Sequence, residues 1–362
     1  MTQRDFIELI SGRKRGLGAS LLRLILWWCS LYYTAAVILR LSLYRAGILK
    51  RHKVVKPVIC VGNLTAGGTG KTPCVAAIVK MLGSDAKPAI VSRGYRSPSA
   101  GSGQGNDEMR VLEELCPKGT PHIQNPDRVA GARAAVAAGA GVIVLDDGFS
   151  HLRLERDLDI VLLDALNPFG YEHMLPRGLK REPRSSLRRA GIVVVTRADV
   201  ATPQRLHDLD DAIKCTGYSG PILHAAHVPV QLVKLATREN ADLGALKDKL
   251  VAPFCGIGNP AGFQHTLEKL GAKVTPLGTL ALGDHAELDT AAWTKQISPF
   301  LRAALEAGAV MAVCTQKDAV KLRDRKLEDA GMPIFELRVE FRFLRGESEL
   351  ASQLADVGGD KG

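Results

Sequence analysis

The chain has 362 residues, 46% hydrophobic and 24% charged, which suits an ordinary globular protein with room for two domains, each burying its own core. A formal charge of +10 favours anionic partners: nucleic acid, anionic lipid or a phosphorylated substrate. Only 5% of residues are aromatic and none interleaves with the basic clusters, which argues against single-strand stacking platforms and against a nucleic-acid partner. The seven cysteines (Cys29, Cys60, Cys74, Cys116, Cys215, Cys255, Cys314) show no close pairing and no metal-ligand spacing, as expected in a reducing compartment without a disulfide framework.

The first element in the chain is apolar. Residues 24–39 carry no charge, include Trp27, Trp28, Tyr32 and Tyr33, and are bracketed by Arg23 and Arg40. That is shorter than the ~20 residues of a full span, and the aromatics lie mid-run rather than at the rims. Arg13, Lys14 and Arg15 precede the run, and Arg45, Lys50, Arg51 and Lys53 follow it. No small-residue cleavage site follows, so a signal peptide is not expected. Basic flanks on both sides predict a helix dipping into the cytoplasmic face of a membrane, held partly by anionic head groups. A buried helix hairpin of a soluble domain is the alternative.

The apolar run 58–61 then leads into Gly62-Asn63-Leu64-Thr65-Ala66-Gly67-Gly68-Thr69-Gly70-Lys71-Thr72-Pro73. A buried strand entering a glycine-rich loop that ends Gly-Lys-Thr is the layout of a nucleotide-phosphate cradle. Backbone N–H groups must crowd round a polyphosphate, and side chains at Gly67, Gly68 and Gly70 would obstruct that approach. Lys71 supplies a charge for the β- and γ-phosphates, Thr72 offers a hydroxyl to Mg²⁺, and a helix over 72–82 points its positive end at the same anions. Thr65 departs from the usual pattern, which begins there with Gly. A glycine-rich βα turn with a chance Gly-Lys-Thr is the bland alternative.

Further along, strands are predicted at 88–92, 142–145, 159–163 and 192–195, with helices at 72–82, 107–115 and 129–138, the last capped by Asn125-Pro126-Asp127. That alternation predicts a parallel, doubly wound α/β sheet. The pattern loosens over 228–235, and the charged stretch 238–249 precedes a second αβ set: strands 251–256, 273–276 and 310–315, helices 260–270 and 290–307. The last dozen residues read as frayed. The expected division is a membrane-associated segment 1–50, a phosphate-loop domain 51–225 and a smaller α/β domain 226–350.

Asp146-Asp147, ending an apolar strand, is where such a fold places a second handle on Mg²⁺. His151 and Arg153 lie just beyond and either line the same crevice or face solvent. Transfer to a hydroxyl also needs a group that orients and deprotonates it. Asp107, Glu108, Asp284 and His285 are candidates for that role, each of which could equally be a cap or turn residue. Arg177, Lys180, Arg181 and Arg184, interrupted by Glu182, form either a solvated face or phosphate clamps.

Taken in order, these segments resemble the tetraacyldisaccharide 4′-kinases, the lipid A 4′-kinases. The resemblance runs from Leu43-Tyr44-Arg45 through the Gly62–Pro73 loop, Ser92-Arg93-Gly94-Tyr95, Asp107-Glu108, Asp127-Arg128, Asp146-Asp147-Gly148 with His151, and Arg156-Asp157-Leu158. It continues through Phe169-Gly170, Leu175-Pro176, Arg181-Glu182-Pro183, Thr196-Arg197-Ala198-Asp199 and Asp284-His285 to Thr315–Leu322, and Thr65 becomes part of the signature. The resemblance implies two αβα lobes joined by a two-stranded linker, with an N-terminal membrane helix at the cytoplasmic face of the inner membrane. It implies ATP and Mg²⁺ as cofactors and a lipid A disaccharide 1-phosphate as the substrate phosphorylated at its 4′-hydroxyl. By the same resemblance Thr65 to Thr72 hold the triphosphate, with Arg128 and Arg181 as clamps. Thr72, Asp146, Asp147 and Glu182 surround the metal, and Asp107 with His285 activates the acceptor. Ser150 where the family usually has Gln, Asn106 and Met109 flanking Asp107-Glu108, and Gln316 where Glu is common mark a divergent member. A membrane-attached phosphate-loop NTPase switch is the alternative, although no guanine-reading Asn-Lys-x-Asp segment is evident.

Overall fold

A computed structural model describes residues 3–94, 107–283, 288, 290–323 and 330–358. In chain order the N-terminal half forms α1 (Gln3–Ile10), α2 (Leu17–Arg45), β1 (Val58–Asn63), α3 (Lys71–Leu82), β2 (Pro88–Ser92), α4 (Asp107–Leu115), β3 (His122–Gln124), α5 (Arg128–Ala137), β4 (Val142–Asp146), β5 (Leu158–Asp164), β6 (Ile192–Thr196) and α6 (Pro203–Lys214). The rest forms β7 (Ile222–Lys234), β8 (Asn240–Ala241), β9 (Leu250–Cys255), α7 (Pro260–Lys269), β10 (Lys273–Val274), β11 (Leu280–Ala281), α8 (Thr290–Ala292), α9 (Ser298–Glu306), β12 (Met311–Thr315), α10 (Gln316–Leu322), β13 (Ile334–Arg345) and α11 (Glu347–Gly358).

The chain divides into two compact units, one holding residues 1–226 and 341–362, the other 227–340. Both crossings are made in strands, β7 outward and β13 on the return. In the first unit β3, β2, β4, β1, β5, β6 and the start of β7 lie side by side, every pairing parallel. Both faces are covered, so the central strands carry near-continuous apolar runs rather than an alternation, with polar residues toward their ends. In β1, Ile59 and Val61 pack with α3, α4 and α11 through Val75, Ile78, Leu112, Leu350 and Leu354. Val58 and Cys60 face the opposite layer, with Val129 and Ala132 of α5 and Leu209 and Ile213 of α6. Chain order reverses at β1, which has β4 on one side and β5 on the other, and ligands bind beyond the strand ends at such a switch point.

The second unit repeats the plan. β10, β9, β12 and β13 pair in parallel, β11 adds to β9, and β8 pairs antiparallel with the end of β7. α7 covers one face through Phe263 and Leu267. Trp293, Ile297, Leu301 and Ala304 cover the other, in a helical stretch with a π turn at Trp293–Ile297. Two αβα sandwiches with parallel sheets are thus present, in line with the expected fold class.

Three local expectations are corrected. Residues 222–234 are one strand, β7, whose middle is only half-buried and therefore shows no continuous apolar run. The C-terminal dozen is not frayed through its length: helix α11 extends to Gly358, held by Leu350 and Leu354 in the first unit's core. The apolar N-terminal run is longer than its uncharged core, a helix of 29 residues with a mean hydropathy of 1.5 in its most apolar window. That helix is long and apolar enough to cross a membrane. One stripe of it, including Ser30, Tyr33 and Val37, turns inward, while Leu24, Trp28, Leu31, Tyr32 and Leu39 are exposed.

Candidate active site

The loop between β1 and α3 is built by backbone geometry. Gly67 adopts φ +117° and Gly70 φ +85°, conformations that side-chain-bearing residues rarely hold. Gly70 is also the residue before the first turn of α3, so the unpaired N–H groups of that helix open where the loop ends. A Cβ at Gly67 or Gly68 would meet no atom within 4 Å, so these glycines border open space. Nearby at Gly62 the need is packing: a Cβ there would lie 2.5 Å from Phe149 Cβ.

Three braces hold the loop. Asn63, 1% exposed at the end of β1, donates from Nδ2 to Thr65 O at 2.6 Å, and its Oδ1 faces Lys71 Nζ at 3.4 Å. The segment 179–181 runs against 64–66, with Ala66 N donating to Leu179 O at 2.7 Å and Arg181 N to Leu64 O at 2.9 Å, and a bridge joins Thr65 to Lys180. From β6, Thr196 Oγ1 donates to Thr69 O at 3.1 Å and Arg197 Nη2 to Gly68 O at 3.1 Å, while Arg197 also pairs with Asp164. Asn63 and Arg197 were not among the residues assigned a role from sequence, and Lys180, a candidate clamp or surface residue there, lies in the segment that braces the loop. Arg197 lies far from Gly68 in the chain, so spacing carried no signal for that contact.

The end of β4 faces the loop. Asp146 is buried and Asp147 takes φ +55°, which turns its carboxylate toward the loop lysine. Lys71 Nζ lies 3.8 Å from Asp147 Oδ1, and Arg181 Nη1 donates to both Asp147 oxygens at 2.9 and 3.0 Å. Burial pushes the Asp147 carboxyl up, but Lys71, Arg181 and Arg128 together outweigh it and hold the group below the usual carboxylate range. Arg128, 4% exposed at the start of α5, donates from Nη1 to Asn125 O at 3.0 Å; burial lowers its pKa while Asp147 and Asp146 oppose. Burial also lowers His151, reinforced by Arg128.

Lys71, Asp147, Arg181 and Arg128 therefore share one electrostatic neighbourhood. Glu182 is placed differently. Fully buried, it takes a hydrogen bond from Arg189 Nη2 at 2.8 Å and lies 3.8 Å from Arg40 Nη2 of α2, and no described contact joins it to Asp146 or Asp147. Among the described residues no three His, Cys, Asp or Glu side chains gather as a metal-ligand group. Asp107 and Glu108 open α4, with only their backbone described, and Asp284 and His285 lie outside the described residues.

The donor set suits a magnesium nucleotide. The glycine backbone is open, the buried Thr69 hydroxyl has no hydrogen-bond partner among the described residues, and the α3 N-terminus and Lys71 supply positive charge. The Thr72 hydroxyl and the Asp146 and Asp147 carboxylates are hard oxygen donors of the kind Mg²⁺ takes alongside phosphate oxygens and water.

Comparison with known proteins agrees with this geometry. The sequence model of the family "Tetraacyldisaccharide-1-P 4'-kinase" matches residues 22–358. A tetraacyldisaccharide 4'-kinase of Anaeromyxobacter dehalogenans (strain 2CP-C) is 40% identical over 338 residues, covering 89% of this chain and 87% of the relative. One from Halothermothrix orenii is 33% identical, covering 95% of each chain. A crystal structure of LpxK from Aquifex aeolicus, described as an "apo" form in complex with ATP, is 28% identical with a TM-score of 0.69, over 93% of this chain and 99% of that one. The length of these matches, spanning both units, shows that the chain belongs to the tetraacyldisaccharide-1-phosphate 4′-kinase family.

Proposed function

We propose that the crevice beyond β1 carries out the family's reaction, transfer of the γ-phosphate of ATP to the 4′-hydroxyl of tetraacyldisaccharide 1-phosphate in lipid A biosynthesis. The observation that carries this reading is the convergence of Lys71 and Arg181 on Asp147 at the mouth of an open glycine loop. Residues 65–72 cradle the triphosphate through backbone N–H groups, and Lys71 and Arg181 balance charge that develops on the transferred group. Thr72, Asp146 and Asp147 hold Mg²⁺, which when bound neutralises the phosphate oxygens. Arg128 adds a second guanidinium at the start of α5. Glu182 acts from beneath, fixing Arg189 and Arg40. Asp107 and His285 are assigned to activating the acceptor hydroxyl, on the resemblance of their flanking motifs.

The acceptor is a lipid, and the exposed apolar face of α2 supports docking at a membrane, with the basic flanks favouring the cytoplasmic face of the inner membrane. Tyr33 of the same helix donates to Arg181 O at 3.1 Å, which ties the membrane segment to the site. The test is transfer of labelled γ-phosphate to the disaccharide 1-phosphate in detergent micelles with Mg²⁺ and ATP. Lys71→Ala is expected to lower kcat about a hundredfold or more. Asp107→Ala is expected to lower kcat while leaving KM for ATP nearly unchanged. ATP hydrolysis that ignores the lipid acceptor would sink the reading in favour of a nucleotide switch.

A further inference from the structure

Two arginines that converge on one helix end have no part in these assignments. Arg23 lies on the inward stripe of α2, and Arg177 lies in the stretch that leads to the loop brace. Both reach the C-terminal end of α1. Arg177 Nη1 donates to Ile10 O at 2.8 Å, and Arg23 donates to Lys14 O at 2.7 Å, to Leu9 O at 3.5 Å and to Ser20 Oγ at 3.1 Å. The two guanidinium groups thus grip adjacent carbonyls. Burial pulls Arg177 below the usual arginine value, and the neighbouring Arg23 charge adds to it. His173 is lowered by burial and then by Arg177 and Lys180, against an opposing pull from Glu172, so Arg177 also adds positive charge at its neighbour.

A helix end needs donors for its last carbonyls, and here two arginines share that task, each on a different carbonyl. The second adds repulsion in a half-buried place, and the contacts described for both go to carbonyls and a hydroxyl, not to a carboxylate. Such crowding becomes favourable when an anion with several oxygens joins, and the planar fork of arginine matches phosphate. Position selects the anion. The segment 177–181 runs beside α2, from the Arg23 end to Tyr33, where Arg181 reaches Asp147. Arg23 and Tyr33 are ten residues apart on one helix, about 15 Å along its axis. The 4′-hydroxyl and the 1-phosphate occupy opposite ends of the acceptor disaccharide. With the 4′ end at the phosphate loop, the 1-phosphate must dock well away from Lys71, next to the apolar helix.

Resting on the kinase reading above, we propose that Arg23 and Arg177 form a phosphomonoester subsite that holds the 1-phosphate of the acceptor. The test compares tetraacyldisaccharide 1-phosphate with the same lipid lacking that phosphate, using wild type, Arg23→Gln, Arg177→Gln and Arg177→Lys. The expected result is a fall of roughly tenfold or more in the preference for the phosphorylated acceptor in each Gln variant, as for a lost charge-assisted hydrogen bond. The change should lie in KM for the lipid rather than for ATP, with partial recovery in Arg177→Lys. Equal losses on both acceptors, or an unchanged preference, overturn the proposal. Because Arg177 also holds α1, Arg23→Gln gives an independent reading if Arg177→Gln folds poorly. Acceptor binding in micelles is followed alongside turnover. If wild type transfers nothing, the kinase reading fails, while binding preference still decides the subsite. Weaker binding of the variants to phosphatidylglycerol vesicles, with acceptor preference intact, would assign the pair to membrane head groups and overturn the proposal too.

Discussion

Asp147 depends on a backbone angle that most residues avoid: at φ +55° it pays about 1 kcal/mol or more of strain, and the return is a carboxylate aimed at Lys71 and Arg181. Adjacent Asp146-Asp147 was legible in sequence as a metal handle, but which carboxylate meets Arg181 was not, because that depends on φ. His122 illustrates a residue the sequence did not single out. On β3 its Nε2 lies 2.8 Å from Ser92 Oγ at the end of β2, and burial lowers its pKa to about 4. The unfolded chain binds this proton near pH 6.5, so the stability contributed by the neutral ring is complete above that value and lost as pH falls toward 4. Between pH 7 and pH 5 wild type should lose about 2 kcal/mol through this group. Denaturant unfolding of wild type and His122→Asn at both pH values checks it. An equal drop in the two proteins would contradict the burial argument.

At the scale of elements, α2 separates two jobs by face. Its inward stripe carries Ser30, Tyr33 and Val37, and its outer face carries Trp28 and Tyr32, the latter 76% exposed. A helix apolar all round has no periodicity to read, so the sequence predicted membrane association without showing which side meets protein. If the outer face docks on a bilayer, Trp28→Glu with Tyr32→Glu should weaken co-sedimentation with vesicles at least tenfold, since carboxylates in the apolar region are costly. The unfolding midpoint should move little, because both rings are largely exposed and Trp28 packs only edge-on against its helix neighbour Trp27. The central strands β1, β4, β5 and β6 were legible because burial on both faces demands an unbroken apolar run. β7 was not, since residues 227–231 are half-buried. β13 could have been found: Phe335 to Phe343 alternate apolar and charged residues over most of their length.

The whole molecule turns on the return of the chain. After the second unit, β13 brings the backbone to Phe341, and α11 closes the α3 side of the first unit's core with Leu350 and Leu354, which are almost fully buried. Within the first unit Asp210 of α6 ties the start of β7 to the end of β13, hydrogen-bonded to His224 Nε2 at 2.9 Å and 3.3 Å from Arg345 Nη1. Leu354→Ala should therefore destabilise the first unit by about 2–5 kcal/mol, although it lies near the end of the chain and far in sequence from the phosphate loop. Urea unfolding followed in the presence and absence of ATP checks this; an unchanged midpoint would mean that α11 is only loosely docked. By itself the sequence determined the phosphate loop, the parallel α/β class and the family, because these rest on local spelling: glycine spacing, continuous apolar strands and ordered motifs. Only the tertiary structure decided that 179–181 braces the loop, that Glu182 lies between two arginines, and that the last helix belongs to the first unit. Each of those is a contact between residues distant in the chain, set by where the strands bring their ends and not by any neighbour in the sequence.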